Sequence, residues 1–276
     1  MKRSKHIDGN NFLRHHIKNN KSFAAGKIGG TELKLLYTYL SGHNIPPDLK
    51  VEAENVSGLV PTNKDTLEWF STTFLEALSN MDLLCKWSAI IPQLEEKLIE
   101  EKTKAYTTPL QHIEPYFFND PWTDCLEGKK VLVFSPFADS IDTNFNKLDK
   151  IWNNKIRPDF DIITHRYPTS ITITEDSKDK SAKEIYDKFI NIIHTEEFDV
   201  GIFGTGYTGL LFASECKAIG RSGIHLGGAT QMLFGVLGNR WKANKDFDTF
   251  INEHWTTPTN DETPERVDVV EDACYW

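Results

Sequence analysis

The sequence has 276 residues, of which 39% are hydrophobic and 12% aromatic, so it can fill a sizeable core and is not globally disordered. Its 40 acidic and 31 basic residues give a net charge of −9, and no basic footprint for a nucleic acid stands out. No apolar run approaches the roughly 18 residues of a membrane-spanning helix, and the basic start is not followed by the apolar segment of a secretory signal.

The first half of the chain mixes short apolar runs with long connections. Residues 22–28 predict a strand, and residues 31–40 predict an amphipathic helix. A second helix is predicted over residues 66–78, where apolar side chains recur at intervals of three and four. Residues 81–87 and the region 107–118 are predicted to contain further strands. We therefore expect an irregular N-terminal half.

From residue 128 onwards, apolar runs and amphipathic stretches alternate. The predicted strands cover residues 130–134, 160–164, 199–203 and 223–226. The predicted helices cover residues 135–153, 181–194, 210–219 and 230–236. Such alternation is typical of a parallel sheet with helices on both faces. The sequence therefore predicts an α/β, Rossmann-like fold with a mostly parallel sheet.

Charge divides the chain into three predicted parts: a basic segment over residues 1–21, a single domain over 22–245 and an acidic tail over 246–276. A solvated end is the simpler interpretation of the basic segment, and contact with an anionic membrane is the alternative. The four cysteines form no Cys-x-x-Cys site. We therefore expect reduced thiols and a cytoplasmic protein, with a peripheral membrane contact as the alternative.

The sharpest motif is the glycine-rich run over residues 204–209, between a predicted strand and a predicted helix. In this setting the backbone around Gly204, Gly206 and Tyr207 can approach a diphosphate. The acidic residue that would hold the ribose of NAD is missing, because the next strand ends at His225 without one. The run predicts a diphosphate-bearing ligand other than NAD. A tight turn that needs glycine only for packing is an equal alternative.

A second glycine pair, Gly29 and Gly30, follows the first predicted strand. The pair would let a ligand approach the backbone. Glu32 would then lie in the first turn of a helix, where the helix dipole favours an anion. From spacing alone, the start of a helix is the simpler interpretation.

A third cluster follows the last predicted strand. Gly227 and Gly228 would open the carboxyl edge of the sheet, close to Gln231. Arg240 can pair with a phosphate through two N–H groups. Trp241 can stack on a base or sugar, although core packing is the commoner role of a tryptophan.

Two histidines are candidates for a general base. His165 follows one predicted strand and His225 ends another, so both are expected at the same edge. A satisfied polar group is the commoner role at a strand end. The chain has no Gly-x-Ser-x-Gly, His-Glu-x-x-His or P-loop motif, which disfavours hydrolases and NTPases of those classes.

Several of these stretches together resemble a family of uncharacterised bacterial proteins associated with polysaccharide biosynthesis. The resemblance covers most of residues 22–241. Its matching stretches are residues 129–137, the glycine turn at 204–209, the run from His225 to Gln231, the pair Arg240-Trp241 and the closing pair Tyr275-Trp276.

That family in turn is similar to the GT-D class of glycosyltransferases, which use nucleotide-sugar donors on a Rossmann-like fold. Lys27, Gly29 and Glu32 fall on the Arg, Gly and Glu of the class motif Arg-x-Gly-Asp-Gly-Glu. Gly30 stands where the Asp is expected. One carboxylate rarely holds Mn²⁺ or Mg²⁺ alone, so the need for a metal stays open.

The resemblance implies a glycosyltransferase that moves a sugar from a UDP- or GDP-type donor to a glycan or lipid-linked acceptor. It implies Glu32 as the base or acceptor-orienting group, and His165 and His225 stay further catalytic candidates because of their positions at strand ends. The implied donor site comprises Lys27, Gly29, Gly30, Ser135, Gly204, Gly206, Tyr207, Gly227, Gly228, Gln231, Arg240 and Trp241. The alternatives are a nicotinamide-dependent oxidoreductase, suggested by the glycine run, and a non-catalytic nucleotide-sugar-binding protein, suggested by Gly30.

Overall fold

The computed structural model of the chain describes residues 6–87, 91–172 and 181–276. Within these residues, seven strands form one sheet in the order β3-β2-β1-β7-β6-β4-β5, and every neighbouring pair is parallel. The strands are β1 (Ala24–Lys27), β2 (Leu83–Lys86), β3 (Tyr106–Pro109), β4 (Lys130–Ser135), β5 (Asp161–Arg166), β6 (Val200–Phe203) and β7 (Ser222–His225). The predicted α/β fold is confirmed, and the N-terminal half belongs to the same sheet through the pairing of β1 with β7.

Helices cover both faces of the sheet, as predicted. They are α1 (Gly9–Lys18), α2 (Gly30–Leu40), α3 (Pro47–Glu52), α4 (Lys64–Asn80), α5 (Pro92–Lys102), α6 (Ala138–Phe145), α7 (Leu148–Ile151), α8 (Ala182–Thr195), α9 (Thr208–Ala218), α10 (Ala229–Leu233) and α11 (Asn239–Lys242). Strand residues alternate between two cores: Val131 and Val133 pack on one face, Leu132 and Phe134 on the other. A strand buried on both faces reads as a continuous apolar run, which is why β4 was predictable.

The predicted helix over residues 135–153 is interrupted. Ser135 is the last residue of β4, and α6 begins three residues later and ends before a break that separates it from α7. The start of α6 is capped from elsewhere: the carboxylate of Glu262 accepts hydrogen bonds from the backbone N–H groups of Asp139 and Ser140 at 2.9 and 3.1 Å. A partner more than 120 residues away cannot be read from the local sequence.

Both predicted end segments pack on the domain. Residues 1–5 lie outside the described residues, but α1 follows and buries Leu13 and Ile17 in the core. The acidic stretch 246–276 likewise buries Trp255 and Trp276. The expectation of a solvated basic end and a separate tail is therefore corrected for the described residues.

The topology brings several strand ends to one place. β6 connects to β7 on one side, whereas β4 connects to β5 on the other, so the carboxyl ends of β4 and β6 form a switch point. Ligands of open α/β sheets bind in the crevice at such points. None of the helices in the described part of the chain has the length and apolar character needed to cross a bilayer.

Candidate functional site

A cavity of about 560 Å³ lies at the carboxyl edge of the sheet. It is lined by the connections after six of the seven strands and by the last residues of the sequence. This volume is typical of small-molecule and cofactor sites. The predicted site residues that line it are Lys27, Gly29, Gly30, Glu32, Ser135, Gly204, Gly206, Tyr207, His225, Gly227, Gly228, Gln231 and Arg240.

Glu32 supplies a carboxylate at the start of α2. It is only 6% exposed, and its Oε1 accepts a hydrogen bond from Ser57 Oγ at 2.8 Å. Its Oε2 folds back over Gly29, where a Cβ would lie 1.7 Å away. Glycine at position 29 therefore makes room for the carboxylate, and the helix dipole favours its negative charge.

Lys27 supplies a cation at the end of β1, with its Nζ 4.3 Å from the centre of the Trp87 ring. Burial lowers the pKa of Lys27, the charge of Glu32 opposes this change, and the charge of Arg240 adds to it. Lys27 and Arg240 thus act on each other as like charges in one cavity. An anion placed near both would relieve that repulsion.

The glycine turn after β6 is packed tightly. A Cβ on Gly204 would lie 2.9 Å from Thr230, and one on Gly209 would lie 2.0 Å from His225 Nδ1. Gly206 has a φ of 58°, in the left-handed region that favours glycine. Packing therefore accounts for Gly204 and Gly209, and backbone conformation accounts for Gly206. Tyr207 borders the cavity, but its hydroxyl donates to the Ala182 carbonyl oxygen at 3.2 Å.

His225 is held neutral beneath this turn. It is 4% exposed, and its Nδ1 lies 3.3 Å from the carbonyl oxygen of Phe203, to which a protonated Nδ1 donates. Burial and the nearby charge of Lys27 lower its pKa to about 3, against the effect of the Phe203 hydrogen bond. A histidine with so low a pKa is a weak proton acceptor at neutral pH, so Glu32 is the better candidate for a base.

Unpaired polar atoms surround the turns after β6 and β7. Among the residues the structure describes, Thr205 Oγ1, Thr230 Oγ1 and Gln231 Oε1 are buried without a hydrogen-bond partner. The Gln231 amide is fixed, because its Nε2 donates to the Tyr275 carbonyl oxygen at 2.7 Å. Buried polar atoms of this kind call for a partner such as water or a ligand.

Arg240 reaches the cavity from α11. Its guanidinium donates to the Glu271 carboxylate and, at 3.3 Å, to the Tyr275 hydroxyl. It also lies 4.7 Å from the centre of the Tyr275 ring. The end of the sequence therefore holds Arg240 in place, which a reading of the acidic stretch as a tail could not predict.

Two predicted site residues are not brought into the cavity. His165 lies on the edge strand β5, where its Nε2 is 3.2 Å from Glu196 Oε1, so the expectation that it shares a site with His225 is corrected. Trp241 is 5% exposed and belongs to the hydrophobic core, which is the alternative role the sequence left open. Ser135 lines the cavity. Its Oγ accepts a hydrogen bond from the Phe137 N–H at 3.1 Å, so Ser135 does not cap the start of a helix.

The sequence did not point to three residues that line the cavity or act on Lys27, namely Ser57, Trp87 and Glu114. Ser57 lies in a π-helical turn over Ala53–Ser57, a feature often found at functional sites. Trp87 follows β2 and faces Lys27. Glu114 follows β3, and burial raises its pKa to about 7, although a hydrogen bond from Tyr116 and the charge of Lys27 oppose this. Of the three, only Ser57 is followed directly by a glycine that marks a turn in the sequence, and the structure gives that glycine, Gly58, a φ of 80°.

The described side chains alone do not form a complete site for a divalent cation. Glu32 is the carboxylate beside Gly30, but Glu52 is paired with Lys34 at 2.8 Å and Glu271 with Arg240. Across residues 6–87, 91–172 and 181–276, no three His, Cys, Asp or Glu side chains are grouped to hold a metal. Mg²⁺ is commonly held by one or two carboxylates together with substrate phosphates and water, so Glu32 would hold such a cation only together with a bound phosphate.

No protein-family model and no curated protein matches the chain. Two solved structures are similar to it, and each match covers 91% of this chain and 96% of the other. One is a selenomethionine-substituted structure of the domain of unknown function 1792, with a TM-score of 0.39 and 12% identity. The other, with a TM-score of 0.40 and 11% identity, is of the same domain, described as having a distinct glycosyltransferase fold. The likeness is distant, so any function has to rest on the residues of the cavity.

Proposed function

We propose that the protein is a glycosyltransferase that moves a sugar from a nucleoside-diphosphate donor to a hydroxyl of a glycan or lipid-linked acceptor. The observation that carries the proposal is the charge arrangement of one cavity. Two cations, Lys27 and Arg240, and one buried carboxylate, Glu32, line the same space at the carboxyl edge of the sheet. A diphosphate leaving group needs the cations, and an acceptor hydroxyl needs the carboxylate.

Each residue would have a distinct part in the transfer. The acceptor oxygen attacks the anomeric carbon, and the bond from that carbon to the β-phosphate oxygen breaks. Glu32 takes the hydroxyl proton, while Ser57 keeps the carboxylate oriented through its hydrogen bond. Lys27 and Arg240 hold the charge that develops on the leaving diphosphate.

Charge neutralisation by Lys27 and Arg240 would take the place of a divalent cation. The proposal therefore includes donor binding that depends only weakly on Mn²⁺, consistent with the donor set around Glu32. The helix α9 begins directly after the glycine turn. The backbone N–H groups at its start would also favour the binding of an anion.

The test is calorimetry and thermal unfolding with a panel of UDP- and GDP-sugars, in EDTA and in Mn²⁺, followed by assays of sugar transfer. A donor at 100 times its Kd should stabilise the fold by about 2.7 kcal/mol. EDTA should weaken binding by less than about tenfold, or 1.4 kcal/mol. Saturable binding without transfer would favour a non-catalytic binding protein, and nicotinamide absorbance in the purified protein would favour an oxidoreductase.

Gly30 offers a matched pair for the metal question. A Cβ at this position would meet nothing within 4 Å, so substitutions there should fold. Gly30→Asp adds a carboxylate beside Glu32 and should make donor binding respond to Mn²⁺, whereas Gly30→Asn should not. A strong Mn²⁺ requirement in the parent protein would show that other ligands supply a metal site.

A further inference from the structure

The last ten residues, Val267–Trp276, which we term the closing segment, place an anion on Arg240. The guanidinium donates to the carboxylate of Glu271, which itself lines the cavity. Cys274 Sγ lies 3.3 Å from the same carboxylate. Glu271 therefore lies where Arg240 would otherwise meet an anionic ligand.

The backbone of the closing segment is strained at this contact. Glu271, Asp272 and Ala273 have φ values of 47°, 55° and 57°, so three successive residues that are not glycine are left-handed. Each such residue is unfavourable for an L-amino acid. Conformations of this kind persist where surrounding contacts enforce them, and they cluster in binding and switch regions. Opening of the turn would release this strain.

The turn is anchored at both ends. Val270 is 4% exposed on one side. On the other side, the Trp276 ring packs against Phe137 with centroids 5.9 Å apart, and its Nε1 donates to the Glu262 carbonyl oxygen at 2.7 Å. A local opening of residues 271–273 can therefore release Arg240 from Glu271 while these anchors and the contact with Tyr275 stay in place.

We propose that Glu271 is an intramolecular competitor of the donor, and that a nucleoside diphosphate displaces its carboxylate from Arg240. The inference rests on the proposed function, because it takes the diphosphate as the ligand of Arg240. Both partners of the pair are partly solvated, with side chains 42% and 43% exposed. Exposed ion pairs are weak, so the closing segment lowers donor affinity without abolishing it.

Calorimetry with UDP and GDP on the full chain tests this competition. Glu271→Gln keeps the shape and removes the charge, and it should tighten binding by about two- to fivefold, as expected for loss of an exposed ion pair. Asp272→Asn is the matched control, since it removes the same charge from the neighbouring residue and should leave affinity unchanged. Ala273→Gly relieves strain in the closed turn and should weaken binding.

Hydrogen exchange supplies a second readout. UDP should raise exchange in residues 270–274 while it lowers exchange in residues 27–32. Equal affinity of Glu271→Gln and the parent protein would overturn the competition. Protection of residues 270–274 by UDP would overturn it as well and identify the segment as a lid. The parent protein and Glu271→Gln should both bind UDP or GDP, and Arg240→Gln should abolish that binding. If neither protein binds these nucleotides, or if Arg240→Gln leaves binding intact, the proposed function fails together with the inference.

Discussion

Two glycine-rich turns follow buried strands at the same edge of the sheet, yet they use glycine for different ends. After β6, a Cβ on Gly204 or Gly209 would collide with Thr230 or His225. After β1, a Cβ on Gly30 would meet nothing within 4 Å. The β6 turn is therefore closed by packing, whereas the β1 turn leaves open space in the cavity.

The contrast teaches that a familiar pattern and a chemical role are separate properties. The β6 turn carries the recognisable Gly-x-Gly-x-x-Gly run but contributes mainly backbone to the cavity. The charged groups Lys27 and Glu32 belong to the β1 turn, whose run could be read as the start of a helix. If the two turns divide their roles in this way, turnover should depend on the β1 turn and folding on the β6 turn.

The largest expected effect is that of Glu32→Gln on turnover. The amide keeps the size of the side chain and can still accept from Ser57, but it cannot take a proton. Sugar transfer should fall about 100- to 10,000-fold, or roughly 3–5 kcal/mol of barrier. Folding stability should change by no more than the dipole contribution of about 0.3–1 kcal/mol.

Transfer rates and chemical denaturation on the same samples separate these effects. Glu52→Gln is the control, because Glu52 lines the cavity but is already paired with Lys34. A Glu32→Gln protein that transfers sugar at nearly the parent rate would leave Glu32 as a helix-start residue only. The assignment of catalysis to the β1 turn would then be wrong.

The next effect is that of Lys27→Met on nucleotide affinity. Loss of a charged hydrogen bond to the diphosphate should weaken UDP or GDP binding by about 1.5–3 kcal/mol. Because the fold lowers the pKa of Lys27, it disfavours the charged side chain, so the variant should be at least as stable as the parent.

Calorimetry measures the expected loss of nucleotide affinity, and unfolding measurements check that the stability of the variant is not reduced. Lys34→Met removes another cavity-lining lysine, one already paired with Glu52, and should affect stability more than affinity. Equal losses of affinity in the two variants would point to a general electrostatic effect and contradict a specific role for Lys27.

A matched pair of glycine substitutions tests the packing half of the comparison. Gly209→Ala would place a methyl group against His225 and should destabilise the fold by about 1–3 kcal/mol. Gly30→Ala meets open space in the first turn of α2 and should stabilise the fold by about 0.4–1 kcal/mol. Equilibrium denaturation measures both, and similar values for the two would remove the distinction between the turns.

The second half of the fold was largely predictable because β4 and β6 are apolar runs whose residues are buried on both faces of the sheet. The helix α4 was predictable from its spacing, and Leu67, Phe70, Phe74 and Leu78 are all buried. The start of α6 at Ala138 was not, since its first turn is capped by Glu262 from far along the chain. Local periodicity carries no information about such distant caps.

For the site too, the residues whose positions follow from the sheet were predictable, and those that depend on distant contacts were not. Residues at strand ends, such as Lys27, His225 and Gly227, reach one cavity because parallel strands share a carboxyl edge. His165 does not, because β5 is the edge strand and its imidazole faces Glu196. Contacts from the closing segment depend on the path of the folded chain, which the acidic composition of residues 246–276 conceals.

The smallest expected effect concerns His225, which lies between the two turns against Gly209 and Lys27. Its pKa is lowered to about 3 in the fold, so below its ordinary value of about 6.5 the unfolded chain binds a proton that the folded chain does not. Stability should therefore fall as the pH drops below 6.5, approaching about 1.4 kcal/mol per pH unit for this one group.

The variant His225→Asn tests this pH dependence. It can keep a donor to the Phe203 carbonyl oxygen and should show a shallower slope of stability against pH between pH 6.5 and 5, even if it is less stable at pH 7. Denaturation curves of the parent protein and this variant across the same pH range decide the matter. Parallel slopes in the two proteins would mean that His225 is protonated in the fold, and the neutral imidazole beneath the β6 turn would have to be abandoned.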